Sequence, residues 1–66
     1  MNVQMLKGKI VEKGLNVDSV ASEIGIDRSS LYRKLNNGEK ITIGEARRIK
    51  DVLNLTEDEA TAIFFD

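Results

Sequence analysis

The chain has 66 residues, and its ten Lys and Arg against eleven Asp and Glu give a net charge of −1. It contains no Cys, His, Pro or Trp, while 41% of its residues are hydrophobic and 32% are charged. These values exclude a disulfide framework, thiolate or imidazole metal sites, and Ser-His or Cys-His nucleophilic catalysis. We therefore expect one small globular domain over residues 1–66 that is not an enzyme and holds no metal or cofactor.

The first two predicted helices occupy the first third of the chain. The apolar positions of the first helix are Val3, Leu6 and Ile10. Gly14 stands where a left-handed cap would end this helix. The second helix has one apolar face at i, i+3, i+4 and i+7, formed by Val17, Val20, Ala21 and Ile24. Asn16 is a favourable N-cap for it, and Gly25 ends it.

A third helix is predicted after Gly25. Asp27 can cap its N-terminus, and Leu31 and Leu35 lie four residues apart on one face. The pair Asn37-Gly38 is a strong turn signal that stops the helix.

The last two predicted helices both begin with a capping box, in which a Thr side chain and a Glu side chain satisfy each other's backbone N–H groups. Thr42 and Glu45 have this spacing before the fourth helix, and Thr56 and Glu59 have it before the fifth. The predicted apolar face of the fourth helix is Ile43, Ala46, Ile49 and Leu53, and that of the fifth is Ala60, Ile63 and Phe64. The only strand-like alternation, at 41–43, overlaps a capping box, so we predict an all-α chain of five short helices.

Charge is distributed unevenly along the chain. Residues 1–50 hold all ten cations and six acids, a net of +4, whereas residues 51–66 hold five acids and no cation. Segment 28–50 is the most basic, with seven cations and two acids. Such a segment either forms ordinary solvated helix faces or binds an anionic partner. We expect the acidic C-terminal segment to face away from any such partner.

No apolar run approaches the roughly 20 residues that a membrane-spanning helix needs. The N-terminal segment carries charges within its apolar pattern and has no small-residue cleavage site, so it is not a signal peptide. We therefore expect an intracellular, cytoplasmic protein without a membrane partner. Since 66 residues suffice for one domain of five helices, we expect no separate sensing domain and no small-molecule ligand.

In segment 17–37 the lengths of two predicted helices and of the turn between them are those of a helix-turn-helix. Two helices, 17–24 and 28–36, are joined by a three-residue turn that contains Gly25. The small Ala21 allows the second helix to cross close to the first, and Gly25 allows positive φ. Ile26 is expected to fill the corner between the helices.

The stretch from Leu15 to Gly38 resembles the helix-turn-helix of phage repressor and Cro proteins, the lambda-repressor-like or xenobiotic-response-element family. The matching positions are Val20-Ala21, Ile24-Gly25-Ile26 and Leu31. The fourth helix and the segment LNLTEDEATAIFF are also similar to small prophage-encoded regulators, so the resemblance covers nearly the whole chain. It implies a five-helix lambda-repressor-like fold that binds DNA. One departure is that many members bury the residue three after the equivalent of Leu31, where this chain has Lys34.

The resemblance implies that the third helix enters the major groove of DNA. The positions that match base-contacting residues of the family are Arg28, Ser29, Tyr32 and Arg33. Arg suits this role, because its guanidinium can donate two hydrogen bonds to guanine. The alternatives are that Arg28 forms a surface ion pair with Asp27 or Glu23, and that Tyr32 folds back onto the core.

Phosphate contacts are predicted on either side of this helix. Asn16 matches a phosphate-binding position of the family, at a helix N-terminus that favours anions. The other predicted phosphate contacts are Lys34, Asn36, Asn37, Lys40 and Thr42. Arg47 and Arg48 either add to them or are solvent-facing cations balanced by Glu45 and Asp51.

The C-terminal apolar residues Ile63, Phe64 and Phe65 are either a lid on the core or a dimer contact. A two-fold dimer would place two recognition helices about 34 Å apart, one turn of DNA, on a palindromic operator. The sequence therefore predicts a phage repressor-like or Cro-like transcriptional regulator that binds double-stranded DNA. The alternative is a helix-turn-helix protein-interaction module, such as an antirepressor or an antitoxin-like partner, that does not read an operator.

Overall fold

The computed structural model describes residues 1–38 and 40–65, and this part of the chain is helical without a strand. The five helices are α1 (Val3–Glu12), α2 (Val17–Ile24), α3 (Arg28–Asn36), α4 (Ile43–Val52) and α5 (Glu57–Phe64). The all-α, five-helix prediction is therefore confirmed at the level of helix number and order. Asp66, one of the acids counted in the C-terminal segment, and Glu39 in the basic segment lie outside the described residues.

Polar caps determine where most of the helices begin. The side chain of Asn16 accepts a hydrogen bond from the backbone N–H of Ser19, whose hydroxyl accepts one from the N–H of Asn16 in return. The predicted capping boxes of α4 and α5 are confirmed by the same reciprocal pattern, which joins Thr42 to Glu45 and Thr56 to Glu59. Asp27 stands at the N-cap of α3 as predicted, but its side chain makes no capping hydrogen bond.

A residue with left-handed backbone conformation follows the end of α1, α2 and α4. Gly14 and Gly25 have φ of 73° and 78°, as the sequence predicted. Asn54 takes the same role after α4, with φ of 52°. In each of the three exits a following backbone N–H returns to a carbonyl of the last helical turn, as in the bond of 2.9 Å from Leu55 to Lys50.

The same substitution should have opposite effects at two glycines. Gly8 lies inside α1, and a Cβ built there meets no atom within 4 Å, so Gly8→Ala should stabilise the chain by about 0.5–1 kcal/mol. Gly25→Ala should destabilise it by about 1–2 kcal/mol, because the left-handed backbone disfavours a Cβ. Urea unfolding of both variants measures the change in the free energy of unfolding and its sign. A Gly25→Ala variant more stable than the natural chain would contradict the turn geometry.

The core lies where α2 meets its neighbours. Helix α2 packs against both α3 and α4, and α1 packs against α5. The buried apolar residues that form one continuous cluster are Leu6, Ile10, Val20, Ala21, Ile24, Leu31, Leu35, Ile49, Leu53, Leu55 and Ile63. Among the described residues no polar or charged side chain is buried, so apolar burial supplies most of the stabilisation.

The apolar residues near the helix ends differ in burial. Ile43 was expected on the inner face of α4, but it is the first residue of that helix and its surface is 72% exposed. Ile63, predicted on the inner face of α5 and as either a lid on the core or a dimer contact, is fully buried in the core, which agrees with the first alternative. Phe64 packs against the core while remaining partly exposed, and Phe65 is 71% exposed.

Polar contacts close the N-terminus onto α5. The backbone N–H of Asn2 donates to the carbonyl of Ile63 at 2.6 Å. The ammonium of Lys9 lies between the carboxylates of Glu12 and Glu59, and it is the main cause of a pKa of about 2 for Glu59. The backbone N–H of Thr56 lowers the pKa of Glu59 further.

Acid should weaken the ion pair between Lys9 and Glu59. Because the folded state holds the pKa of Glu59 at about 2 rather than 4.5, its stabilising contribution is complete above about pH 4.5 and is lost as the pH falls toward 2. In Lys9→Gln the loss of stability between pH 5 and pH 2 should be smaller, since the main stabiliser of the Glu59 anion is gone. Lys13→Gln is the matched control, and an identical acid dependence in both variants would contradict the role of Lys9.

No helix within residues 1–38 and 40–65 combines the length and the apolar character that a membrane crossing requires.

Candidate nucleic-acid interface

Helix α3 divides its residues between the core and solvent. Leu31 and Leu35 are buried against the other helices. The exposed residues of α3 are Arg28, Ser29, Tyr32, Arg33 and Asn36. The four residues predicted to contact bases are all among them, and the exposed arc that these five residues form consists of two cations, a phenol and small polar groups. Such a face can donate several hydrogen bonds to an anionic or polar partner.

The turn from α2 into α3 fixes how this arc is presented. The backbone N–H groups of Gly25 and Ile26 donate to the carbonyls of Ser22 and Ala21, at 3.2 and 3.0 Å. Ile26 is partly buried and packs against the core, as expected for a residue that fills the corner. Because α2 and α3 also pack against each other, the two helices and their turn hold the exposed arc on a rigid base.

Arg28 lies at the N-terminal tip of α3 with its side chain 73% exposed. Its guanidinium lies 3.4 Å from the carboxylate of Asp18 on α2. The sequence had offered Asp27 or Glu23 as ion-pair partners, so the partner in the structure is a different one. An exposed pair of this length contributes little free energy, and it leaves Arg28 able to exchange Asp18 for another anion.

Arg33 and Tyr32 lie one turn further along α3. The guanidinium of Arg33 is 3.3 Å from the hydroxyl of Ser30 on the same helix. Tyr32 is 45% exposed, so nearly half of its surface is available to a partner. Both side chains therefore extend the exposed arc that Arg28 begins.

Lys34 is held within the protein rather than presented to solvent. Only 18% of its side chain is exposed, and its ammonium lies 3.3 Å from the carbonyl of Lys40 and 3.4 Å from the carboxylate of Glu45. The N–H of Thr42 and the ammonium of Lys34 both lower the pKa of Glu45, the N–H more strongly. Lys34 thus ties α3 to the loop before α4, a role that differs from the predicted phosphate contact.

The other predicted phosphate contacts are at the surface. Asn37, Lys40 and Thr42 are exposed in the segment between α3 and α4. Asn36 accepts a hydrogen bond of 3.4 Å from the ammonium of Lys7. Asn16 is exposed too. Its side chain caps α2 through the carbonyl oxygen Oδ1, and its amide N–H₂ makes no hydrogen bond to the described residues.

Arg48 has a structural role that the sequence did not reveal. Its guanidinium crosses from α4 and donates a hydrogen bond of 2.9 Å to the carbonyl of Ile24, the last residue of α2. This contact satisfies a free carbonyl at the helix end directly before the Gly25 turn. Nothing in the local pattern of α4 separates Arg48 from Arg47, because the difference arises from how α4 packs against α2.

Comparison with family models, with curated proteins and with solved structures finds no match for this chain.

Proposed function

We propose that this protein is a sequence-specific DNA-binding regulator of the phage repressor or Cro type. In this proposal α2 and α3 form a lambda-repressor-like helix-turn-helix, and α3 enters the major groove with its N-terminal end leading. Arg28, Ser29, Tyr32 and Arg33 contact base edges. The protein occupies an operator in double-stranded DNA and so controls access to a promoter.

The observation that carries the proposal is the exposed arc of α3. It places Arg28 and Arg33 one to two turns apart on a short helix whose opposite face is anchored by Leu31 and Leu35. Arginine reads guanine with two hydrogen bonds, each good pair contributing roughly 1–3 kcal/mol of discrimination. A helix that binds another protein would more commonly present an apolar exposed face, whereas this face carries two arginines and small polar residues beside Tyr32.

Phosphate contacts on both sides of α3 would fix its register on the duplex. Asn16 at the start of α2 and the exposed Asn37, Lys40 and Thr42 after α3 are the residues proposed for this role, with Asn36 beside them. Lys34 supports the second group indirectly, because it holds the carbonyl of Lys40 and the carboxylate of Glu45.

The net charge of −1 is consistent with selective rather than bulk binding. Nonspecific affinity for DNA depends mainly on the number of phosphates that cations neutralise. In this chain the ten cations are outnumbered by eleven acids. Affinity would then come from well-placed contacts on the correct sequence and from the joining of two copies on one operator.

Selection from a pool of random DNA duplexes tests the proposal directly. We expect enrichment of one short site, bound with an affinity that falls as salt is raised. A double variant, Arg28→Ala with Arg33→Ala, is the control that should enrich no site. Failure of the natural chain to enrich any sequence would favour the alternative, a protein-interaction module built on the same helices.

A further inference from the structure

The carboxylate of Asp18 lies beside the first cation of the proposed recognition helix. Asp18 is in the first turn of α2 and Arg28 is the first residue of α3, so their contact joins the two helices of the motif across ten residues of sequence. The side chains are 50% and 73% exposed, and the pair is therefore accessible to a ligand. A negative charge at this place needs an explanation, because DNA is itself an anion.

The local structure of α2 does not require an acid at position 18. Asn16 and Ser19 already satisfy each other's backbone N–H groups at the start of the helix. Apart from Arg28, the carboxylate of Asp18 has no hydrogen-bond or ion-pair partner among the described residues. Asp18 also follows Asn16, a proposed phosphate contact, by only two residues, so its charge opposes general attraction to the DNA backbone.

Asp18 engages only one nitrogen of Arg28. The contact of 3.4 Å joins Nη1 of the guanidinium to Oδ2 of the carboxylate. A guanidinium carries its N–H donors in a planar fork, so the edge formed by Nε and Nη2 makes no hydrogen bond to the described residues. An arginine edge of this kind can donate two parallel hydrogen bonds, as it does to O6 and N7 of guanine.

Guanine and phosphate differ in charge, and this difference decides which of them suits Arg28 beside Asp18. Both can accept a pair of hydrogen bonds from a guanidinium. A phosphate is repelled by the carboxylate unless it displaces Asp18 from Arg28, whereas the edge of guanine is neutral and can bind with Asp18 in place. Given the proposed function, on which this role depends, we infer that Asp18 determines specificity by disfavouring phosphate and reserving Arg28 for guanine.

Asp18→Asn tests this role, because it keeps the size of the side chain and removes its charge. Competition binding should show that affinity for duplexes without the selected site rises about threefold to tenfold more than affinity for the selected site. The logarithm of the nonspecific binding constant should fall more steeply with the logarithm of salt concentration, by about 0.9, because Arg28 can then bind one more phosphate. Glu23→Gln is the matched control, since Glu23 is an exposed acid on the same helix without an ion-pair partner among the described residues.

A double variant tests whether Asp18 acts through Arg28. In an Arg28→Ala background, Asp18→Asn should change the ratio of specific to nonspecific affinity no more than Glu23→Gln does. Circular dichroism checks that all variants remain helical. If the natural chain selects a site but Asp18→Asn keeps that ratio and the salt dependence, or changes them equally without Arg28, the role of Asp18 is overturned while the proposed function stands. A natural chain that selects no duplex overturns both.

Discussion

Leu31→Ala is expected to remove most of the stability of the folded chain. Leu31 is 1% exposed and lies at the junction of α2 and α3, so the truncation leaves a cavity that the short helices cannot easily fill. Such truncations cost roughly 2–5 kcal/mol. A core of this size rarely supplies more than about 3–5 kcal/mol in total. Urea or thermal unfolding followed by circular dichroism measures the loss.

The adjacent residue provides the control for this prediction. Tyr32 is 45% exposed on the outer arc of α3, and Tyr32→Ala should change the free energy of unfolding by less than about 0.5 kcal/mol. If Leu31→Ala and Tyr32→Ala had equal effects on stability, the assignment of the inner and outer faces of α3 would be wrong.

Arg28→Ala and Arg33→Ala are each expected to weaken binding to the selected duplex about 5-fold to 150-fold. The estimate takes roughly 1–3 kcal/mol for a base contact made by an arginine. Each variant should also accept other bases at one position of the site. Competition binding against single-base variants of the duplex, at one fixed salt concentration, measures both effects. Neither side chain supports the core, so both variants should stay folded.

Two further variants separate base reading from general attraction to phosphate. Arg33→Lys keeps the charge but loses the planar pair of donors, so it should bind DNA of any sequence while losing discrimination. Lys13→Ala removes an exposed cation outside the predicted contacts and should leave sequence preference intact. Unchanged preference in Arg33→Ala would show that Arg33 does not read bases.

The stability and binding predictions are separable because α3 uses different faces for them. Loss of Leu31 should lower DNA affinity only through the fraction of unfolded chains, an effect that a stabilising condition such as lower urea reverses. Loss of Arg28 or Arg33 should lower affinity at every condition in which the protein is folded. Comparing the two classes at matched folded fraction therefore identifies the arginines as contacts.

Local sequence determined the helices of this protein. The N-cap residue Asn16 and the two Thr–Glu capping boxes form hydrogen bonds between residues three apart, and left-handed turns follow from a single glycine such as Gly25. Interactions this short need no tertiary context, so the pattern was sufficient to predict five helices in the correct order. The division of α3 into inner and outer faces followed in the same way from its 3.6-residue repeat.

Tertiary packing decided which polar and apolar side chains remain at the surface. Lys34 was predicted to face a phosphate, but α4 approaches closely enough for Glu45 to take its ammonium. Arg48 and Arg47 are equivalent in sequence, yet only Arg48 reaches the carbonyl of Ile24, because α4 packs on α2 along that side. These partners lie between 11 and 24 residues apart, a separation at which no local pattern constrains the contact.

Local sequence also predicted the burial of some apolar residues, whereas tertiary packing decided that of others. Periodicity identified Leu31, Ile49 and Leu53 as core, and all three are buried. It could not distinguish Ile43 from them, since a helical repeat gives no sign of where the neighbouring helix ends. The fold leaves Ile43 at the surface, where it and Phe65 both line a groove between α4 and α5 that exists only in the tertiary structure.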